Sequence, residues 1–143
     1  MNTQHCIDTC NLLLEGERSA VQTYEKAIAK NEPNLKTSEL ERIKSDHVSA
    51  VEKLRQNVLN MGGTPSEGSG AWGSMANAVQ SVGNLFGDKG ALHTLKAGES
   101  SGKGFYEKAL EDDQVMPDCK EMIRSELLPQ CDEHLRTLEA LSH

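Results

Sequence analysis

The sequence predicts an all-α protein built as a four-helix bundle. Four long segments place apolar residues three and four positions apart, which is the period of one helix face, and none shows the alternation of a β-strand. Aromatic residues make up only 3% of the chain, so the core must consist mainly of aliphatic side chains. Such a core suits packed helices better than a sheet. A length of 143 residues fits one domain, 1–143, with a single core.

The first two predicted helices, at about 3–30 and 38–61, form a hairpin. Pro33 in the stretch "NEPN" ends the first helix. Ser38 is expected to open the second helix, because Glu41 follows it at the spacing of a capping box. Two adjacent glycines close that helix.

The connection that follows, 62–89, is too long to join simple hairpin neighbours. Its first part is rich in glycine and serine and contains the only tryptophan, Trp72. Its second part has an apolar spacing that predicts a short amphipathic helix between Met75 and Phe86. We therefore expect a crossover that links two separate hairpins.

The second hairpin consists of predicted helices at about 90–111 and 118–141. Asp118 and Glu121 have the spacing of a capping box at the start of the fourth helix. Pro129 lies within that helix and is expected to kink it, since proline lacks the backbone N–H and crowds the preceding turn.

The two hairpins carry an internal repeat. "GESSGKGFYEKAL" at 98–110 matches "GERSAVQTYEKAI" at 16–28 in seven of thirteen positions. A duplicated helix pair joined by one long crossover differs from a simple up-down bundle. Gly98 and Gly102 also form a ridge without side chains, which is expected to let neighbouring helices approach closely.

Each predicted helix carries one polar residue on its apolar face: Glu17, His47, Glu99 and His134. A buried carboxylate costs several kcal/mol unless it is protonated, hydrogen-bonded, paired or bound to a metal. Two glutamates and two histidines converging from four helices form a chemically sensible ligand set for iron, manganese or zinc. A core hydrogen-bond network without metal satisfies the same side chains equally well, and both alternatives stay open.

The paired "GE…YEKA" segments, the Trp-containing crossover and the two histidine-bearing helices resemble the ferritin-like four-helix-bundle superfamily. More narrowly, the whole chain resembles an uncharacterised bacterial branch, a four-helix-bundle domain of unknown function. In di-iron members, the first and third helices each supply a Glu, and the others each supply Glu-x-x-His. The resemblance implies that Glu17 and Glu99 match the first pair, and that His47 and His134 match the histidines.

The chain departs from that pattern at both bridging glutamates. Lys44 and Cys131 stand three residues before the two histidines, so the resemblance implies one metal ion or none rather than a complete di-iron centre. The residues that directly precede the histidines are offset by about 100° around the helix. They and the repeated tyrosines are expected to surround the ligands rather than to bind metal; these four outer residues are Tyr24, Tyr106, Asp46 and Glu133.

Three functional interpretations follow. The first is a metal-binding bundle with a role in iron handling or the stress response. The second is a non-catalytic structural or interaction module without metal, which associates with itself as a homo-oligomer or with another protein. The third is thiol-based metal handling by the four cysteines, Cys6, Cys10, Cys119 and Cys131. No P-loop, dinucleotide fingerprint, HExxH or G-x-S-x-G motif is present, and the residues indicate no particular reaction.

The overall charge and hydropathy bear on location and partners. A net charge of −7 argues against nucleic acid or an anionic membrane surface as the main partner. No segment is apolar enough to predict a membrane span, and the first residues lack the features of a secretory signal. We therefore expect a cytoplasmic protein.

Overall fold

The computed structural model describes residues 2–31, 33–68 and 89–142. Within these ranges the chain is helical apart from turns and the stretch after the second helix, and it contains no strand. The predicted all-α class is confirmed. The short helix expected between Met75 and Phe86, with Trp72 before it, lies outside the described residues.

The helices form four segments, each close to its predicted position. Three of them are single helices, α1 (Thr3–Ala29), α2 (Leu35–Asn60) and α3 (Lys89–Glu111). The fourth, called here the C-terminal segment, comprises α4 (Pro117–Met122), a π-helical turn (Ile123–Leu127) and α5 (Leu128–Leu141). The most extensive packing is between α1 and α2 and between α3 and α5; α1 also contacts α3, and α2 contacts α5.

The start of α2 differs from the prediction. Asn34 is the N-cap: its side-chain oxygen accepts hydrogen bonds from the backbone N–H groups of Lys36 and Thr37, at 2.8 and 3.1 Å. The Thr37 hydroxyl accepts in return from the Asn34 N–H at 2.7 Å, which completes a capping box. Ser38 lies within the first turn, where its own N–H bonds the Asn34 carbonyl. The prediction that Ser38 opens α2 was wrong, because an asparagine placed just after Pro33 caps the helix one turn earlier.

The start of α4 also differs. Its N-cap is Met116, whose side chain makes no capping hydrogen bond, and Pro117 occupies the first turn. Proline is well suited there, because a first-turn N–H has no partner within the helix. The capping pair predicted from Asp118 and Glu121 was therefore wrong.

A π-helical turn precedes the proline of the C-terminal segment. The N–H of Leu128 bonds the carbonyl of Ile123, five residues earlier, at the end of this turn. Pro129 comes next and has no N–H to donate. The distortion expected from the proline takes the form of a widened turn on its N-terminal side.

The core consists of two apolar clusters, and all four segments contribute to each. The large cluster contains Ile7, Cys10, Leu13, Leu14, Ala50, Leu54, Val58, Tyr106, Ala109, Val115, Cys119, Ile123, Leu127 and Cys131. The small cluster contains Tyr24, Ala27, Leu40, Ile43, Ala91, Leu92, Leu95 and Leu138. In each segment a buried ionisable residue lies between the two groups along the chain: Glu17, His47, Glu99 and His134. We call these four residues the polar layer.

No helix within the described ranges is long and apolar enough to cross a membrane.

Candidate metal centre

The four residues of the polar layer are buried and lie in contact. Glu17 is 7% exposed, His47 6%, Glu99 4% and His134 1%. The periodicity of four separate helices therefore placed these side chains correctly in one layer of the bundle.

His47 lies between the two carboxylates of the layer. Its Nδ1 is 2.5 Å from Glu17 Oε2, and its Nε2 is 2.7 Å from Glu99 Oε1. An ionised carboxylate only accepts hydrogen bonds, so His47 donates from both nitrogens as an imidazolium. Burial by itself lowers the pKa of His47, but the negative charges of Glu17 and Glu99 and their hydrogen bonds raise it well above 6.5.

Glu99 is the most connected member of the layer. It contacts His47 through Oε1, and its Oε2 is 3.3 Å from Nδ1 of His134. Burial raises the pKa of Glu99, but the charge of His47 and the hydrogen bonds from both histidines lower it from 4.5 to about 2. Glu99 is therefore a carboxylate at neutral pH.

His134 is held from its other side by Asp46. Nε2 of His134 is 2.8 Å from Asp46 Oδ2, which belongs to α2 and is partly exposed. The rings of His47 and His134 lie with their centroids 4.8 Å apart. Each histidine thus has one nitrogen against Glu99 and the other against a second carboxylate, Glu17 or Asp46.

The repeated tyrosines connect the two copies of the repeat crosswise. Tyr24 on α1 donates its hydroxyl to Glu99 on α3 at 2.8 Å, and Tyr106 on α3 donates to Glu17 on α1 at 2.5 Å. Burial and the neighbouring glutamate charges raise the pKa of both tyrosines well above 10, so each hydroxyl keeps its proton. The spacing of seven residues between Glu and Tyr in each repeat places one copy's donor on the other copy's acceptor.

Three further residues named from the sequence differ in how close they lie to this layer. Lys44 is 3.6 Å from Glu25 in a partly exposed pair, away from the layer. Cys131 is buried beside the layer, where burial and the charges of Glu99 and Glu17 raise the pKa of its thiol. Glu133 was predicted to be an outer residue of the site, and this was wrong: it is 53% exposed and lies near Arg136.

A cavity of about 50 Å³ reaches the polar layer between α1 and α3. Its lining includes Gly16, Gly98 and Gly102 as well as the layer residues Glu17 and Glu99. This volume holds roughly three or four water molecules. A methyl group added at Gly102 would meet no described atom within 4 Å, so this glycine leaves space beside the layer rather than allowing close helix contact. The expected close approach was wrong at that position.

The ligand atoms of His47, Glu99 and His134 all lie within 4.8 Å of one another. Zinc-type ligands at about 2.0–2.2 Å from one ion are roughly 3–3.5 Å apart, so small side-chain rotations would close this set around a cation. Two imidazole nitrogens and a carboxylate oxygen are suitable donors for iron, manganese or zinc. The residues present therefore fit a metal ion.

The family that matches the sequence is described as a domain of unknown function, DUF2383, and it matches residues 5–112. The chain belongs to this family. The DUF2383 match covers Glu17, His47 and Glu99, whereas His134 lies beyond it on the C-terminal segment. No curated protein and no solved structure matches the chain significantly.

Proposed function

We propose that this protein is a metal-binding helical bundle of the ferritin-like type, in which His47, Glu99 and His134 bind one iron, manganese or zinc ion. The observation that carries the proposal is the convergence of three buried ligand atoms from α2, α3 and α5 within 4.8 Å. Buried imidazole and carboxylate groups meet in this way at few places other than metal sites and hydrogen-bond networks.

The contacts around the histidines support distinct roles for the remaining residues. Glu17 accepts from the far nitrogen of His47, and Asp46 accepts from the far nitrogen of His134. A carboxylate in this position fixes the ring orientation and directs the other nitrogen toward a metal. We therefore assign Glu17, a ligand in the set that the sequence predicts, to positioning His47, while the hydroxyls of Tyr24 and Tyr106 hold the two glutamates in place.

Metal binding at this layer competes with a proton. In the network described above, Nε2 of His47 carries hydrogen toward Glu99, and that nitrogen must lose it to become a ligand. A bound ion would supply Lewis acidity, and iron or manganese would add one-electron redox chemistry. We propose a role in iron handling or the stress response, without assigning a reaction.

Metal analysis tests the proposal. Protein purified without chelator is loaded with Fe²⁺, Mn²⁺ or Zn²⁺, desalted and analysed by mass spectrometry for metal. We expect about one ion per chain for the native protein and for the control His93→Gln, whose side chain is exposed. His47→Gln and Glu99→Gln are expected to retain less than about a tenth of the metal content of the native protein, because each removes a ligand. Equal, substoichiometric metal in all four proteins would contradict the proposal.

The release of a proton provides a second readout. Calorimetric titrations in two buffers with different ionisation enthalpies are expected to show proton release on binding, with affinity rising between pH 6 and 8. Binding without proton release would place the ion elsewhere than between His47 and Glu99.

A metal-free structural bundle is the second candidate, and one observation favours it. Among the buried side-chain nitrogen and oxygen atoms of the described residues, only Oδ1 of Asn31 lacks a hydrogen-bond partner, so the polar layer is already satisfied. A satisfied buried network can fix helix register on its own. If the bundle is purely structural, protein loaded with metal ions and desalted retains no metal and shows no gain in thermal stability. Self-association into a homo-oligomer stays a prediction for light scattering.

A further inference from the structure

Two buried thiols meet in the large cluster, away from the polar layer. Sγ of Cys10 on α1 is 3.3 Å from Sγ of Cys119 on α4, and the two residues are 0% and 1% exposed. A disulfide bond is about 2.05 Å long, so the sulfurs need to approach by roughly 1.3 Å to form one. The side-chain amide of Asn57 donates to Cys10 Sγ at 3.2 Å.

The surroundings of the two sulfurs are unequal. The hydrogen bond with Cys119 lowers the pKa of Cys10 against the effect of burial, and the bond from Asn57 lowers it further. The hydrogen bond with Cys10, burial and the nearby sulfur charges raise the pKa of Cys119. Because Cys10 also accepts the hydrogen bond from Asn57, we assign it as the nucleophile of the pair, with Cys119 as the second thiol beside it.

We propose that Cys10 and Cys119 form a peroxide-sensitive modification site that closes to an intramolecular disulfide. The Cys10 thiolate attacks one oxygen of the peroxide, the O–O bond breaks, and Cys10 becomes a sulfenic acid while hydroxide leaves and takes up a proton. Sγ of Cys119 then attacks Sγ of Cys10. The S–O bond breaks and the thiol proton leaves with the hydroxyl group as water. In sum, two thiols and one hydrogen peroxide give one disulfide and two waters.

The other two cysteines are placed differently and serve as internal controls. Cys6 lies one turn before Cys10, but its thiol donates to the backbone carbonyl of Gln114 at 2.6 Å. The thiol of Cys131 has a raised pKa because of burial and the charges of Glu99 and Glu17. Neither residue makes a sulfur–sulfur hydrogen bond within the described part of the chain. Both are expected to stay reduced when the pair oxidises.

Access for the oxidant comes from the local structure around Cys119. It lies at the N-terminal end of the C-terminal segment, which follows a turn and has no side-chain cap. Helix ends of this kind fray and open locally more readily than helix interiors. The pair is thus expected to oxidise selectively but slowly.

The test is disulfide mapping of the full chain with chelator present, so that bound metal plays no part. Reduced protein is treated with a few equivalents of hydrogen peroxide, quenched, alkylated, digested and analysed by mass spectrometry. We expect free thiols to fall from four to two, one cross-linked peptide containing Cys10 and Cys119, and full recovery with a reductant. Four remaining thiols, intermolecular products, or pairing through Cys6 or Cys131 would each overturn the proposal.

Two variants separate the roles of the sulfurs, after circular dichroism has confirmed that both are folded. In Cys119→Ala, Cys10 has no partner, so a sulfenic-acid probe is expected to label it in place of the disulfide. Cys6→Ala is the matched control, because Cys6 is also a buried cysteine on α1. This variant is expected to form the disulfide as the native chain does. The oxidised protein should also melt several degrees higher than the reduced one, because the bridge closes a loop of roughly one hundred residues. If Cys10 of Cys119→Ala is not labelled, the result counts against the mechanism. The same holds if Cys6→Ala fails to form the disulfide, as Cys119→Ala does.

Discussion

At the residue scale, His47 balances the charges of two carboxylates in the interior. Each of its nitrogens faces a glutamate, and each glutamate also accepts a hydrogen bond from a tyrosine hydroxyl. Buried carboxylates are tolerated only with such complete pairing. The layer therefore acts as one unit, and removing any member leaves a partner uncompensated.

Replacing Glu99 by glutamine tests this dependence. Glu99→Gln keeps the shape but leaves His47 with only one anionic partner, so we expect a loss of about 3–5 kcal/mol in the free energy of unfolding. The matched control is Glu126→Gln, which removes one member of an exposed pair with Lys53 and should cost less than about 1 kcal/mol. Urea denaturation followed by circular dichroism measures both. Equal effects would show that the layer contributes no more than a surface pair.

The same groups predict how the stability of the metal-free protein depends on pH. The pKa of Glu99 falls from 4.5 to about 2 on folding, so its contribution is complete above pH 4.5 and is lost as the pH falls toward 2. The pKa of His47 rises above 6.5 on folding, so its contribution is complete below pH 6.5 and is lost as the pH rises through the folded value. We expect maximal stability at about pH 5–6.

Urea midpoints measured from pH 3 to 9 test this profile. The acid loss assigned to Glu99 is on the order of 3 kcal/mol, because its pKa falls from 4.5 to about 2 on folding. His47→Gln is expected to flatten the alkaline side of the profile and to leave the acid side dominated by other carboxylates. A native profile that is flat above pH 6.5 would argue against a charged His47.

The sequence predicted which residues form the layer but not which atoms meet. Asp46 and Glu133 occupy equivalent places, each directly before a histidine. Asp46 reaches across to His134 of the other hairpin, whereas Glu133 lies at the surface near Arg136. The difference depends on the rotation of each helix about its axis. The three- and four-residue spacing of apolar positions does not determine that rotation.

At the element scale, the start of α2 shows how one of two nearby residues becomes the N-cap. Asn34 and Ser38 are both good N-cap residues, and only Ser38 is followed by a glutamate at capping-box spacing. The side chain of Thr37 supplies the reciprocal bond instead, so α2 gains three residues at its start. Pro33 just before the cap is compatible with either choice, which is why the sequence alone left the boundary wrong.

Two alanine substitutions distinguish these caps. Asn34→Ala removes two bonds to backbone N–H groups and is expected to cost about 1 kcal/mol. Ser38→Ala changes an exposed residue inside the helix and should leave stability the same or raise it by a few tenths of a kcal/mol. Thermal unfolding by circular dichroism measures the stability of both variants. A larger loss of stability in Ser38→Ala than in Asn34→Ala would support a helix start at Ser38.

At the scale of the whole molecule, the polar layer separates two apolar clusters, and we expect the chain to unfold as one unit all the same. All four segments contribute to each cluster, and the packing of α1 with α2 and of α3 with α5 fits the predicted hairpins. The internal repeat and the long crossover predicted this pairing. The division of the core into unequal clusters was not foreseen, because apolar spacing continues across the layer in every helix.

Leucine truncations in the two clusters test whether the molecule unfolds as one unit. Leu54 in the large cluster and Leu40 in the small cluster are both completely buried on α2. Leu54→Ala and Leu40→Ala are each expected to lower the stability of the same single transition by about 2–5 kcal/mol. Denaturation followed by circular dichroism and by amide hydrogen exchange provides the comparison. Two separate transitions, each sensitive to one substitution, would show that the layer divides the protein into independent halves.

The π-helical turn determines how related sequences should be aligned with this one. Buried residues of the C-terminal segment recur every fourth position at Cys119, Ile123, Leu127 and Cys131. In a regular α-helix, three such steps would drift about 120° around the axis, and the wider turn takes up this drift. A π-helical turn amounts to one inserted residue, and the helical stretches on either side of it keep the same face toward the core. A relative with a regular helix here would bring its histidine into the layer one position earlier, so an alignment without a gap would pair His134 with the wrong residue.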